Sequence, residues 1–198
     1  MNRGQFFFIT GGARSGKSRF AESLALALGE PVTYIATAEG LDEEMAARIK
    51  KHQKRRPATW TTLEEPLHVA ALVEKVGQRE GVIIIECLTF LITNLLFKDC
   101  LGAEANSKVQ ERALAEVKQL AEAAYSCRAH VILVSNEVGL GLVPPNPQGR
   151  IFRDVAGWAN QIMAAKADKV YFLVSGLAVD LKSLNQDLQK VLSPHKTG

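Results

Sequence analysis

Short apolar runs alternate with longer amphipathic stretches along this chain, at the two periods that separate strands from helices. Strands are predicted at Gln5 to Thr10, Val32 to Thr37, Thr59 to Leu63, Val82 to Ile85, His130 to Ser135 and Lys169 to Val174. Helices are predicted at Lys17 to Leu28, Asp42 to Arg56, Leu67 to Gln78, Leu88 to Phe97, Ser107 to Ala124 and Ile151 to Ala167. In the first helix Phe20, Leu24 and Leu28 fall at i, i+4 and i+8 and are expected to face inward. The second starts on Asp42, Glu43 and Glu44, ends on a basic cluster and is stopped by Pro57, as the helix dipole and proline favour. Leu177 to Leu181 is expected to return as a hairpin across Ser175-Gly176. Asp99 to Asn106 reads as a polar, disordered loop, Gly139 to Gly149 as a loop too long for a plain connector, and the last dozen residues as a weak helix with a frayed tail.

Strands alternating with helices imply an α/β domain with a mostly parallel sheet, helices on both faces and an antiparallel edge strand. Uninterrupted apolar strands such as Val82 to Ile85 fit burial on both faces. At 198 residues a single domain over 1–198 is expected, with a tail over about 183–198. Hydrophobic content of 47% and charged content of 23% match an ordinary globular protein. The net charge of +3 is too small to imply nucleic-acid binding, and no apolar stretch is long enough to span a membrane. Cys87, Cys100 and Cys127 are odd in number and form no CxxC pair, so a reducing compartment, the cytoplasm, is expected.

The first predicted strand runs into Gly11-Gly12-Ala13-Arg14-Ser15-Gly16-Lys17-Ser18, which fits G-x-x-x-x-G-K-[ST]. Glycines allow successive N–H groups to turn toward phosphate oxygens. Lys17 brings a point charge to the outer phosphates, the Ser18 hydroxyl can ligate Mg²⁺, and the helix adds its positive end. The expected fold is therefore a P-loop NTPase of RecA-like type. Ligands of such sheets bind at the carboxyl ends of the strands, which puts Thr10 to Ser18, Thr37, Glu86 and Asn136 on one rim.

Glu86 ends an apolar strand, where a carboxylate either supports Mg²⁺, directly or through water, or caps the next helix. His52 continues the face marked by Met45 and Ile49, with Arg48, Arg55 and Arg56 at helical spacing. Neighbouring arginines would keep it neutral and nucleophilic; a capping or core histidine is the other reading. The run Lys50 to Arg56 suits a phosphate-facing or solvated helix end better than a nucleic-acid contact, because no aromatics are interleaved. Glu64 could accept hydrogen bonds from a guanine edge or a ribose, or could start a helix.

Taken in order, these segments resemble the bifunctional adenosylcobinamide kinase / adenosylcobinamide-phosphate guanylyltransferase family of cobalamin assembly. The matching pieces are Thr10 to Ser18, Tyr34-Ile35-Ala36-Thr37, Asp42 to Ile49, His52, Arg56-Pro57 and Glu64-Glu65-Pro66. Further on come Glu86-Cys87-Leu88-Thr89, Thr93 to Leu96, Ser135 to Gly139, Phe152-Arg153-Asp154, Asn160-Gln161, Ala167-Asp168 and Val174-Ser175-Gly176. Lys51 stands where some relatives have a second histidine.

The resemblance implies two reactions. A nucleoside triphosphate, ATP or GTP, phosphorylates adenosylcobinamide, and GTP then gives GMP to that phosphate through a guanylyl-histidine at His52. It further implies catalytic roles for His52 and Lys17, and nucleotide contacts at Gly11, Gly12, Ala13, Arg14, Ser15, Gly16, Lys17, Ser18, Ala36, Thr37, Ala38, His52, Gln53, Lys54, Arg55, Glu64 and Glu86. Mg²⁺ is expected at Ser18 and Glu86, the partner molecules are a corrinoid and a nucleotide, and the assembly is expected to be a trimer. A P-loop kinase of other specificity, with His52 idle, and a GTP-binding switch module are the alternatives.

Overall fold

The computed structural model describes residues 3–40, 56–98 and 106–185, with Glu43, Lys50 and Gln53 as single helical positions. Most of the predicted helix Asp42 to Arg56, including His52, Lys54 and Arg55, lies outside the described residues. So do most of the predicted loop Asp99 to Asn106 and the tail after Asn185.

Seven strands form one sheet in the order β3-β2-β4-β5-β1-β6-β7. They are β1 (Phe6–Gly11), β2 (Val32–Ala36), β3 (Thr61–Glu64), β4 (Val82–Glu86), β5 (His130–Val134), β6 (Lys169–Val174) and β7 (Leu177–Asp180). The first six are parallel, and β7 returns antiparallel on β6 at the edge. Ser175 (φ 52°) and Gly176 (φ 83°) make the two-residue turn between them, which needs positive φ at both positions to match strand twist. The helices are α1 (Lys17–Leu28), α2 (Val69–Val76), α3 (Leu88–Phe97), α4 (Ser107–Ser126), α5 (Pro147–Lys166) and the single turn α6 (Leu181–Leu184).

The continuous apolar strands are buried on both faces because the sheet divides the core in two. Phe6, Phe8, Ile83 and Ile85 point to α2, α3, α4 and α5. Phe7, Ile9, Ile84 and Ile132 point to the face covered by α1. Successive side chains therefore alternate between two interiors instead of between core and water.

Several boundaries differ from the sequence expectation, each for a local reason. The innermost line of α1 is Lys17, Ala21 and Ala25, with Phe20, Leu24 and Leu28 flanking it half-buried. Alanines let the helix sit close to the sheet, while Phe20 lies edge-on to Tyr171 with ring centroids 5.1 Å apart. Helix α5 starts at Pro147, earlier than Ile151, because the Asn146 side chain caps it by accepting from the Gly149 N–H at 2.6 Å. Helix α2 starts at Val69; the Glu65 carboxylate holds the preceding turn through the N–H groups of Leu67 and His68. Among the described residues no helix is long and apolar enough to cross a membrane.

Candidate nucleotide site

Strand β1 ends at Gly11 and α1 begins at Lys17, so the glycine-rich loop joins the centre of the sheet to a helix N-terminus. Two of its glycines are required by space and by dihedral. A Cβ on Gly11 (φ 150°) would lie 2.4 Å from the Leu173 carbonyl oxygen, and one on Gly16 (φ 101°) would meet the Gly176 Cα at 3.2 Å. The hairpin tip braces the loop from behind, as the Gly176 N–H donates to the Ser15 carbonyl at 3.0 Å. Lys17 is buried and its ammonium donates to the Gly12 carbonyl at 2.6 Å. Burial lowers the Lys17 pKa, opposed by the nearby Cys87 and Glu86.

Glu86 ends β4 directly beside the start of α1. The Ser18 hydroxyl donates to Glu86 Oε1, and the Tyr34 hydroxyl donates to Glu86 Oε2 at 2.7 Å. Burial pushes the Tyr34 phenol above its ordinary value, so it remains a proton donor at neutral pH. The Arg56 guanidinium lies over the Tyr34 ring, with its central carbon 3.4 Å from the ring centroid.

These residues surround a cleft of about 540 Å³ at the carboxyl ends of the strands. That size is within the range of small-molecule sites. Of the sequence-predicted residues, Ala13, Arg14, Ser15, Gly16, Lys17, Ser18, Ala36, Ala38, Glu64 and Glu86 line it. Gly11, Gly12 and the exposed Gln53 are not among the residues that line it. His52, Lys54 and Arg55 are outside the described residues.

Thr37 is not on the wall either. It is fully buried, and its hydroxyl donates to the Cys87 carbonyl at 2.8 Å while accepting from the Cys87 N–H at 2.7 Å. Its own N–H goes to the Glu86 carbonyl and its carbonyl accepts from Asn94 Nδ2. Thr37 therefore ties the end of β2 to the end of β4, with no polar group free to meet a ligand.

The cleft is also lined by residues that the sequence does not assign to it: Arg19, Tyr34, Arg56, Cys87, Phe90, Val134 and Asn136. Asn136 had been placed on the rim, and Arg56 sits in the basic run, so both carried a positional signal. Tyr34 lies in one of the pieces that carry the family resemblance, but an aromatic in a strand reads as core, as Phe90 does in its helix. Asn136 is fixed by a network: its side chain donates to Thr89 Oγ1 at 3.0 Å, and its carbonyl accepts from Asn160 Nδ2 at 3.3 Å. Asn160 Oδ1 in turn accepts from Ser135 Oγ at 2.7 Å.

Comparison with known proteins places this arrangement. Residues 7–181 match the family described as cobinamide kinase / cobinamide phosphate guanyltransferase. The bifunctional adenosylcobalamin biosynthesis protein CobU of Salmonella typhimurium is 47% identical over 180 residues, covering 88% of this chain and 98% of that protein. Its counterpart CobP of Pseudomonas aeruginosa is 44% identical over 174 residues, covering 88% and 95%. Among solved structures, an ATPase from the type III secretion system of pathogenic bacteria superposes with a TM-score of 0.55 at 10% identity, over 96% of this chain and 60% of that one, a likeness of fold alone. The phosphate loop, the Glu86 strand end and the Asn136–Asn160 network all fall inside the matched span, and the chain belongs to the cobinamide kinase / cobinamide phosphate guanyltransferase family.

Proposed function

We propose that this chain phosphorylates adenosylcobinamide with a nucleoside triphosphate and then transfers GMP from GTP to the new phosphate. The observation that carries the reading is the meeting of Ser18 and Glu86 beside Lys17 on one wall of the cleft. A hydroxyl and a carboxylate are hard oxygen donors of the kind Mg²⁺ takes, with phosphate oxygens and water filling the remainder of its shell. Ser18 and Glu86 would hold the ion, which supplies neutralisation of phosphate charge. Lys17 and the loop N–H groups bind the β- and γ-phosphates, and Phe90 provides an apolar wall.

In the kinase step the acceptor hydroxyl attacks the γ-phosphorus and gives up its proton to solvent, as the bond to the β,γ-bridging oxygen breaks and the nucleoside diphosphate leaves. In the second step a neutral His52 nitrogen forms a bond to the α-phosphorus as the bond to the bridging oxygen breaks and pyrophosphate departs. The acceptor phosphate oxygen then displaces the imidazole, giving adenosylcobinamide-GDP. Arg48 or Arg55 would offset charge on the equatorial oxygens. Gln53, Lys54 and Arg55 would join His52 along the nucleotide. We place the enzyme in the cytoplasm and propose, as the resemblance implies, that it assembles as a trimer; Cys87 and Cys127 are free and buried, which suits a reducing compartment.

The test is incubation with α-labelled GTP followed by denaturation. Acid-labile label on the wild type, absent in His52→Asn while kinase activity persists, is expected. Stable labelling of His52→Asn refutes the assignment, and no label on either protein favours a kinase without a covalent intermediate.

A further inference from the structure

Tyr34 lines the cleft in contact with both Glu86 and Arg56, and the strand register explains why. Ala36 of β2 is paired with Glu86 of β4, and Tyr34 lies two residues before Ala36. Positions i and i+2 share a face, so Tyr34 and Glu86 are diagonal neighbours on the side covered by α1. An aromatic side chain can span that diagonal. The phenol does so, reaching Glu86 Oε2 at 2.7 Å while Ser18 takes Oε1. The carboxylate is thus tethered at both oxygens.

On its other strand neighbour, Tyr34 is paired with Thr62 of β3. Thr62 Oγ1 accepts from Arg56 Nη1 at 3.4 Å, and the central carbon of the guanidinium lies 3.4 Å from the Tyr34 ring centroid. Arg56 and Glu86 both line the cleft. One side chain therefore contacts both a carboxylate and a guanidinium that line the same cleft.

We infer that Tyr34 is a positioning residue with two tasks: its hydroxyl orients the Glu86 carboxylate toward the metal, and its ring seats Arg56 against the nucleotide's phosphates. This rests on the nucleotide-binding part of the function proposed above and on neither the corrinoid nor the histidine intermediate. A phenylalanine would keep the ring and lose the tether. A lysine in place of Arg56 would keep the charge and lose the planar stack. The two tasks are thus separable by single substitutions.

The experiment measures two affinities with the α,β-methylene analogue of GTP, in which the bond broken in guanylylation is replaced. The first is analogue binding in EDTA, and the second is Mn²⁺ binding to the protein–analogue complex, followed by electron paramagnetic resonance. Tyr34→Phe is expected to weaken Mn²⁺ by about tenfold or more, as loss of a ligand-orienting hydrogen bond does, with analogue affinity in EDTA unchanged. Arg56→Ala is expected to weaken the analogue in EDTA by about tenfold, the scale of one charge-assisted contact, with Mn²⁺ affinity unchanged. Arg56→Lys should recover less than half of that loss.

Unchanged Mn²⁺ affinity in Tyr34→Phe overturns the tether. Unchanged analogue affinity in Arg56→Ala, or full recovery in Arg56→Lys, overturns the seat. A general structural weakening would move both affinities together in both variants, which also overturns the proposal. Neither readout requires an acceptor or turnover, so failure of the guanylyl-histidine test leaves this one standing.

Discussion

Thr37→Val isolates the bond that holds the two site-bearing strand ends together. Valine keeps the shape of threonine and removes only the hydroxyl, which both donates to and accepts from the Cys87 backbone. The Cys87 carbonyl would still accept from the Leu91 N–H at 3.2 Å, so only the Cys87 N–H is orphaned, in a residue 5% exposed. An unsatisfied buried donor costs about 1–3 kcal/mol and the second lost bond about 0.5–1.5 kcal/mol. The expected destabilisation is therefore about 2–4 kcal/mol, or roughly 5–15 °C in Tm for a chain of this size. Urea titration followed by circular dichroism measures it, with Thr37→Ser as the control. Serine keeps the hydroxyl and gives up one buried methyl, at a cost of about 1 kcal/mol. Because every polar group of Thr37 is already engaged, the serine variant should bind GTP like the wild type. A valine variant no less stable than the serine variant refutes the network argument. A serine variant of normal stability that binds GTP tenfold more weakly returns Thr37 to the ligand wall.

Three further outcomes follow from the same geometry. Gly11→Ala should lose about 2 kcal/mol or more and bind GTP poorly, measured by urea titration and calorimetry, because its methyl would press on the Leu173 carbonyl at 2.4 Å in an already positive-φ residue. The Asp168 carboxyl is held below the usual carboxylate range by its hydrogen bonds with the Arg3 guanidinium, and it also accepts from the Phe6 N–H. A lowered folded pKa stabilises above the unfolded value near about 4 and is lost as pH falls through the folded value. Asp168→Asn should thus cost about 1–2 kcal/mol at pH 7, and the gap from wild type in urea midpoint should close below about pH 4; a constant gap would contradict it. Burial pushes the Cys87 and Cys127 thiols up to about 11. Iodoacetamide at pH 8 should leave both unmodified in the folded protein and label both in urea, read peptide by peptide by mass spectrometry.

Most of the fold was legible because the two periods in the sequence coincide with the two ways a residue can be buried here. The β6 strand and α3 match their predicted spans, and the Ser175-Gly176 turn announced the antiparallel edge. The misplaced features were those set by contacts across the sequence. Large side chains suggested the inward line of α1, yet the helix packs on Ala21 and Ala25 because close approach to a sheet favours small residues. Helix α5 begins earlier than its apolar pattern does, because a cap and a proline, and not periodicity, determine a first turn.

The site divides along the same line. A contiguous motif announces its own geometry, so the place of Ala13 to Ser18 on the cleft wall was legible in the sequence, as was that of Glu86, a carboxylate at the end of an apolar strand. The pairing of Tyr34 with Arg56 could not be found that way. Their roles depend on β2 lying between β3 and β4, an adjacency that follows from sheet order and not from chain order. Thr37 shows the same limit: at the tip of a strand beside a phosphate loop, a hydroxyl suits a ligand as well as it suits a neighbouring strand. Here the neighbour takes both its donor and its acceptor capacity. The rim of this sheet thus carries two kinds of polar residue. One kind faces the cleft, as Ser18 and Glu86 do, and the other spends its hydrogen bonds holding the first kind in place. Substituting the second kind should move stability first and nucleotide affinity only as a consequence, which is the order that Thr37→Ser and Thr37→Val are chosen to reveal.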